Sequence, residues 1–318
     1  MKFSPLKKWV FGSILGIIVL FFAFYLSIYW GLWGRIPSEQ ELRDLKQNEA
    51  TEVFSSDGEL IGKYYIFDRQ PVLYKDLPQH LIDALIATED VRFYEHSGID
   101  SRSLMRVFLK TILMGDKTSG GGSTITLQLA KNLFGRNDYG HLSIVVNKLR
   151  ESIIAQRLED IYSKKEILNL YFNTVPFSDN TYGIESAARK FFNTSTAELT
   201  LDEGATLVGT LKASHYFNPR LYPERSKGRR NVVLQQMKKY GYLSPEAYKV
   251  AVNRPMKLEY QYFGNNNGLA PYFRSQVKKD VTAILDTLKS KDGKTYNVYR
   301  DGLQIYTTLD YKMQQLAE

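Results

Sequence analysis

In the stretch ALIATEDVRFYEHSG, Ala84 to Gly98, two adjacent carboxylates, Glu89 and Asp90, stand near the end of what reads as a helix. Ala84, Leu85, Ala87 and Val91 give this stretch an apolar side. A carboxylate beside apolar side chains is a candidate general base, because burial raises its hold on a proton. Phe93 follows Glu89 by four residues, which on a continuous helix puts the two on one face. His96 and Gly98 mark the exit, with Gly98 as the helix stop. Taken alone, such an acid pair is more often a solvated helix end.

A second constellation follows the glycine-rich loop Gly115–Gly122. Ser123–Asn132 (STITLQLAKN) enters a helix on which Thr124, Gln128 and Lys131 share a face. A hydroxyl, an amide and an ammonium below a glycine loop can hold a phosphorylated substrate. It is not a Walker loop, whose lysine directly follows the last glycine. The plainer alternative is that Ser123 or Thr124 only caps the helix. A third pair, Lys148 and Glu151, lies three residues apart on the helical pattern Leu142–Tyr162. The plain alternative there is a surface ion pair worth about a few tenths of a kcal/mol.

The elements that must position these groups are mostly helices. The chain has 318 residues with 43% hydrophobic content, enough for a core and for two domains. It has no cysteine, which excludes disulfides and thiolate metal sites. Its four histidines (His80, His96, His141, His215) form no zinc pattern. A formal charge of +8 favours an anionic partner: a nucleic acid, a phosphorylated substrate or an acidic membrane.

From Trp9 to Gly34 no residue is charged, long enough to span a bilayer with some tilt. All three tryptophans (Trp9, Trp30, Trp33) sit at its ends, where indoles meet the membrane surface. Lys2, Lys7 and Lys8 precede it, and only Arg35 closely follows, which puts the N-terminus in the cytoplasm and the rest outside. The apolar run is too long for a cleaved signal peptide, so an uncleaved single-pass anchor is expected. Thr51–Asp68 reads as a hairpin turning at Asp57-Gly58.

Ser101–Met114 sets one apolar row (Leu104, Phe108, Ile112) and a second (Met105, Leu109, Leu113) beside a basic row (Arg102, Arg106, Lys110). That is the pattern of a helix on a membrane surface, the alternative being an ordinary core helix. Further helices are expected over Ser163–Asn173, with Glu166 as the capping-box partner of Ser163, and over Gly183–Phe192, Leu201–Ala213 and Asn231–Tyr240. Val298–Asp310 turns to strand character.

Taken together these stretches resemble the peptidoglycan glycosyltransferases, the lysozyme-like family found alone or at the front of class A penicillin-binding proteins. Glu89, Asp90, Phe93, His96 and Gly98 fit its E-D-x-x-F-x-x-H-x-G. Gly121–Asn132 (GGSTITLQLAKN) fits G-G-S-T-I-T-Q-Q-L-x-K-N, with Leu127 for the first Gln. Lys148 and Glu151 fit two of three positions of R-K-x-x-E, and KEILNLYFN is similar to K-x-x-I-L-E-x-Y-L-N with Asn169 for the Glu.

The resemblance implies a mainly α, lysozyme-like glycosyltransferase domain with a membrane-associated jaw, a small hairpin before it and one transmembrane helix. It divides the chain into a cytoplasmic end (1–8), an anchor (9–34), a spacer with the hairpin (35–77), the transferase domain (78–255) and a linker toward an absent transpeptidase domain (256–318). It implies inverting polymerisation of lipid II into glycan strands with release of undecaprenyl pyrophosphate, at the outer side of a bacterial cytoplasmic membrane.

Glu89 is then the base, and Glu151 orients the sugar, the cations or a divalent metal. The substrate-binding residues are Asp90, Phe93, His96, Ser123, Thr124, Gln128, Lys131, Asn132, Lys148 and Arg150. The implied partners are lipid II, the growing glycan strand, membrane lipid and other cell-wall synthesis proteins, and no nucleic acid. The only cofactor the resemblance leaves open is a divalent metal, Mg or Mn, whose use varies in such enzymes. The alternatives are a glycan hydrolase on the same fold and a non-catalytic membrane scaffold.

The family's third motif begins with Arg, and this chain has Asn147 there, after a longer loop, Gly135–Leu142. Arg150, one turn on, and Arg136, in the loop, are the two stand-ins. Arg150 is preferred, because a helix positions a group better than a loop.

Overall fold

A computed structural model describes residues 5–45, 47–108, 121–261, 268–289, 293 and 295–318. In chain order the elements are α1 (Pro5–Tyr29), α2 (Glu39–Arg43), β1 (Thr51–Phe54), β2 (Leu60–Tyr64), β3 (Asp68–Arg69), α3 (Gln79–Glu89), α4 (Ser101–Phe108), α5 (Ile125–Phe134), α6 (Ser143–Ile161), α7 (Lys164–Thr174), β4 (Pro176–Ser178), β5 (Thr181–Tyr182), α8 (Ile184–Phe192), α9 (Leu201–Thr210), α10 (Pro223–Lys239), α11 (Pro245–Asn253), α12 (Pro271–Thr287), β6 (Gln304–Tyr306) and α13 (Tyr311–Ala317). The chain is mainly α, as its sequence predicts. It divides into two compact units: Met1–Leu45 with Tyr94–Ile167, and Lys46–Phe93 with Leu168–Glu318.

In the first unit, Trp9–Tyr29 of α1 is long and apolar enough to cross a membrane. At about 1.5 Å per residue its length matches a hydrocarbon core. Its side chains are mostly exposed until the last turns, where Phe24, Tyr25 and Ile28 pack with Trp33 on Val146, Leu149 and Ile153 of α6. Trp9 and Trp30 are exposed, as interfacial indoles should be. Trp33 is not: it donates to Ser27 Oγ at 2.9 Å and packs edge-on against Phe24 and Tyr139. Helices α5 and α6 pack on each other. Gly98, at φ 82°, lies so close to α6 that a Cβ would stand 3.1 Å from the Ala155 carbonyl oxygen. Only glycine suits both demands.

In α4, Arg102, Leu104, Met105 and Arg106 are all exposed, so this part is no core helix. The Phe108 side chain and Leu109, Lys110, Ile112 and Leu113 lie outside the described residues.

In the second unit, α3, α9 and α10 pack together. Small residues allow this: a Cβ on Gly209 would meet Arg229 Cγ at 3.2 Å. Strands β1 and β2 form the expected antiparallel hairpin, with Gly58 at φ 84° in its turn. Strand β6 adds to β1 in parallel. Val53, Ile61 and Tyr64 of the hairpin close on Leu285 and Val298, so much of the stretch expected as a linker contributes core. A second small sheet pairs β3 with β5 and β5 with β4.

One helix is shorter than its apolar pattern suggests. Helix α3 stops at Glu89, Asp90 turns to φ −157°, and its N–H still bonds the Ile86 carbonyl. Phe93–Glu95 form a separate 3-10 turn. Glu89 and Phe93 therefore do not share a helical face, and Phe93 is fully buried.

Candidate active site

Glu151 sits in mid-α6 with its side chain 4% exposed. Its Oε1 accepts from Arg136 Nε at 2.7 Å. The Lys148 ammonium stands 2.9 Å from its Oε2, while the hydrogen bond of that ammonium goes to Ser123 Oγ at 2.9 Å. Among the described residues Oε2 itself accepts no hydrogen bond. The pair Lys148–Glu151 is thus no surface ion pair: the acid is buried and bridged by two cations. Its bond to Glu151 holds the Arg136 guanidinium more firmly protonated than usual.

Arg136 reaches Glu151 from the loop after α5. Gly135 ends that helix at φ 65°, a backbone state that favours glycine. Asn147 then holds the loop from below. Its Oδ1 accepts from the Asn137 N–H at 3.1 Å, and its Nδ2 donates to the Asn137 and Ser143 carbonyls, both at 2.8 Å. The preference for Arg150 over Arg136 is not what the geometry favours. Arg150 is buried, and its Nη1 and Nη2 donate to the Tyr139 hydroxyl at 3.2 Å and the Arg35 carbonyl at 3.1 Å. It ties the exit of α1 to α6. Arg150 does lie one turn from Asn147 on α6, but the exit of α1 claims its guanidinium.

Thr124 is the N-cap of α5: its Oγ1 accepts from the Leu127 N–H and donates to the Gly98 carbonyl at 2.5 Å. The capping alternative therefore describes Thr124, which is buried. Ser123, Gln128, Lys131 and Asn132 remain partly exposed on the same segment. Leu127 points into the core, so an apolar residue fits where the family motif has Gln. The His96 carbonyl accepts from Lys164 Nζ at 2.6 Å.

In the second unit, Glu89 is half-buried at the end of α3. Two residues missed in the sequence face it electrostatically. Burial first, and then the Glu89 charge, push the Tyr171 phenol of α7 well above its ordinary range. Burial lowers the Arg229 guanidinium of α10, and Glu89 acts against that. The missed signal was Pro223, which opens α10 eight residues before the expected start at Asn231 and brings Arg229 into the helix. Asp90 is buried, and its carbonyl accepts from the Phe93 N–H at 2.9 Å. Among the described residues no group of three or more His, Asp or Glu is placed to hold a metal ion.

Residues 57–238 match the transglycosylase family, more than half of the chain, and the chain belongs to that family. Its relatives are penicillin-binding proteins. Penicillin-binding protein 1A of Aquifex aeolicus is 36% identical over 313 residues, 98% of this chain and 41% of the relative. Penicillin-binding protein 1A of Escherichia coli is 34% identical, over 92% of this chain and 33% of the relative. The chain spans well under half the length of these curated relatives. A crystal structure of penicillin-binding protein 1A from Haemophilus influenzae covers 86% of this chain and 29% of its own, at 27% identity and a TM-score of 0.47.

Proposed function

We propose that this chain polymerises lipid II into glycan strands with inversion and release of undecaprenyl pyrophosphate. The observation that carries it is the buried Glu151 bridged by Arg136 and Lys148, inside a segment whose motifs fall in the family's order. In this mechanism Glu89 takes the proton from the 4-hydroxyl of the acceptor GlcNAc. The freed oxygen pair forms a bond to the anomeric carbon of the donor MurNAc, from the face opposite the pyrophosphate. The bond to that phosphate oxygen breaks, and its electrons leave with the pyrophosphate. Charge grows on the leaving group, where fixed cations stabilise it most. Lys131, Lys148 and Arg136 supply that charge, with Gln128 and Ser123 as hydrogen-bonding neighbours. Glu151 holds its two cations apart and so sets the spacing of the charge that meets the leaving group.

Helix α1 anchors the chain in a bacterial cytoplasmic membrane, with the catalytic residues on the outer side, and the exposed Leu104/Met105 surface of α4 meets the lipid. Other cell-wall synthesis proteins are the expected protein partners. The test is incubation of the purified full chain, in detergent, with labelled lipid II. A ladder of glycan strands with matching release of undecaprenyl pyrophosphate is expected. Shortening of preformed glycan without new strands would instead point to a hydrolase.

A further inference from the structure

Asn147 is a buried amide with both ends engaged, and both ends reach the residue beside Arg136. Its oxygen accepts from the Asn137 N–H, and its nitrogen donates to the Asn137 carbonyl. The far side of the same loop is pinned as well. The Tyr139 hydroxyl donates to the Trp33 carbonyl and accepts from Asn137 Nδ2 at 3.0 Å and from Arg150 Nη1 at 3.2 Å. The loop is therefore fixed along both edges, and Arg136 is the side chain that it delivers to Glu151. Only Nε of Arg136 is engaged there. Its side chain is 47% exposed, and the described residues show no partner for Nη1 or Nη2. A guanidinium held at Nε leaves its two terminal nitrogens free to grip an anion in two-point fashion.

An arginine at position 147 could not do what Asn147 does. A guanidinium has no acceptor, so the Asn137 N–H would lose its partner. Where the family motif has an arginine, this chain thus has the side chain that anchors the loop carrying Arg136. We propose that Arg136 binds the pyrophosphate of the substrate directly, and that Asn147 is its positioning residue. The identity of that anion rests on the glycosyl-transfer proposal; the placement of Arg136 does not.

The experiment measures binding of farnesyl pyrophosphate to the detergent-solubilised full chain, against farnesol as the uncharged control. Wild type, Arg136→Ala, Arg136→Lys, Asn147→Ala and the double variant Arg136→Ala/Asn147→Arg are compared. Arg136→Ala should weaken pyrophosphate binding about tenfold or more, leave farnesol binding unchanged and flatten the salt dependence. Arg136→Lys should keep the salt dependence and lose part of the affinity. Asn147→Ala should weaken pyrophosphate binding while leaving farnesol binding unchanged, and the double variant should recover part of the loss of Arg136→Ala. Wild-type affinity and salt dependence in both Arg136→Ala and Arg136→Lys overturns the proposal. So does equal weakening for farnesol and farnesyl pyrophosphate. Lipid II polymerisation by wild type, run alongside, tests the enzyme assignment separately: that assay can fail while the binding data still decide the role of Arg136.

Discussion

Glu89 ends a helix, half-buried, with a phenol and a guanidinium as charge neighbours in its own unit. Glu151 lies in mid-helix, almost wholly buried, with one cation on each oxygen. A carboxylate held between two cations is built to stay put and to set their spacing. A carboxylate at a helix end, partly open, can meet a substrate hydroxyl and take its proton. The two acids of this chain are therefore not interchangeable, although each is only a Glu in a helical pattern when seen in the sequence.

The sharpest way to break this contrast is at Glu89. Glu89→Gln keeps size and polarity but cannot accept the proton. Its polymerisation rate should fall to about a hundredth or less, the usual scale of a lost general base. Thermal unfolding should be close to wild type, because a partly exposed helix end tolerates the amide. Rates measured on lipid II and a melting curve together check both halves.

At Glu151 the balance shifts toward stability. Glu151→Gln leaves Arg136 and Lys148 without their anion. Both cations are more than a third exposed, so the expected loss is on the order of 1 to 2 kcal/mol, less than for a sealed buried pair. Denaturant titration measures it, and a loss as small as that of Glu89→Gln would erase the difference between the two acids.

The motifs around both acids were legible because they are local. The Asp57-Gly58 turn, the capping box at Ser163 and Glu166 and the apolar span were legible for the same reason. What the sequence did not reveal needs contacts made in three dimensions. Arg136 and Glu151 lie fifteen residues apart and meet only because a loop folds back. Strand β6 pairs with β1 from the far end of the chain. The end of α3 was invisible because Val91 and Phe93 prolong its apolar pattern beyond the last helical residue.

Arg150 gives a finer contrast between two arginines of the first unit. Arg150→Met keeps the volume of a long side chain but loses the bonds to Tyr139 and Arg35. It should lower stability by about 1 to 3 kcal/mol, the cost of two lost, partly buried hydrogen bonds from a guanidinium, while farnesyl pyrophosphate binding stays near wild type. A large loss of that binding with unchanged stability would restore Arg150 as the anion ligand.

The smallest effect concerns pH on the Glu89 side. The Tyr171 phenol holds its proton in the folded state well beyond the ordinary value of 10.0. Its raised affinity for the proton adds stability that is fully present below pH 10 and is lost as pH climbs past it, because only the unfolded chain then ionises readily. Unfolding titrations between neutral and strongly alkaline pH should show that fall in wild type and less of it in Tyr171→Phe.

The most direct test of the division of labour is the split between kcat and KM on lipid II. Glu89→Gln should lose its activity in kcat, with KM little changed, since the base acts on the reacting hydroxyl. Arg136→Ala should raise KM as well, since its guanidinium already grips the pyrophosphate in the ground state. A Glu89→Gln protein that turns over at the wild-type kcat would contradict the account at its centre.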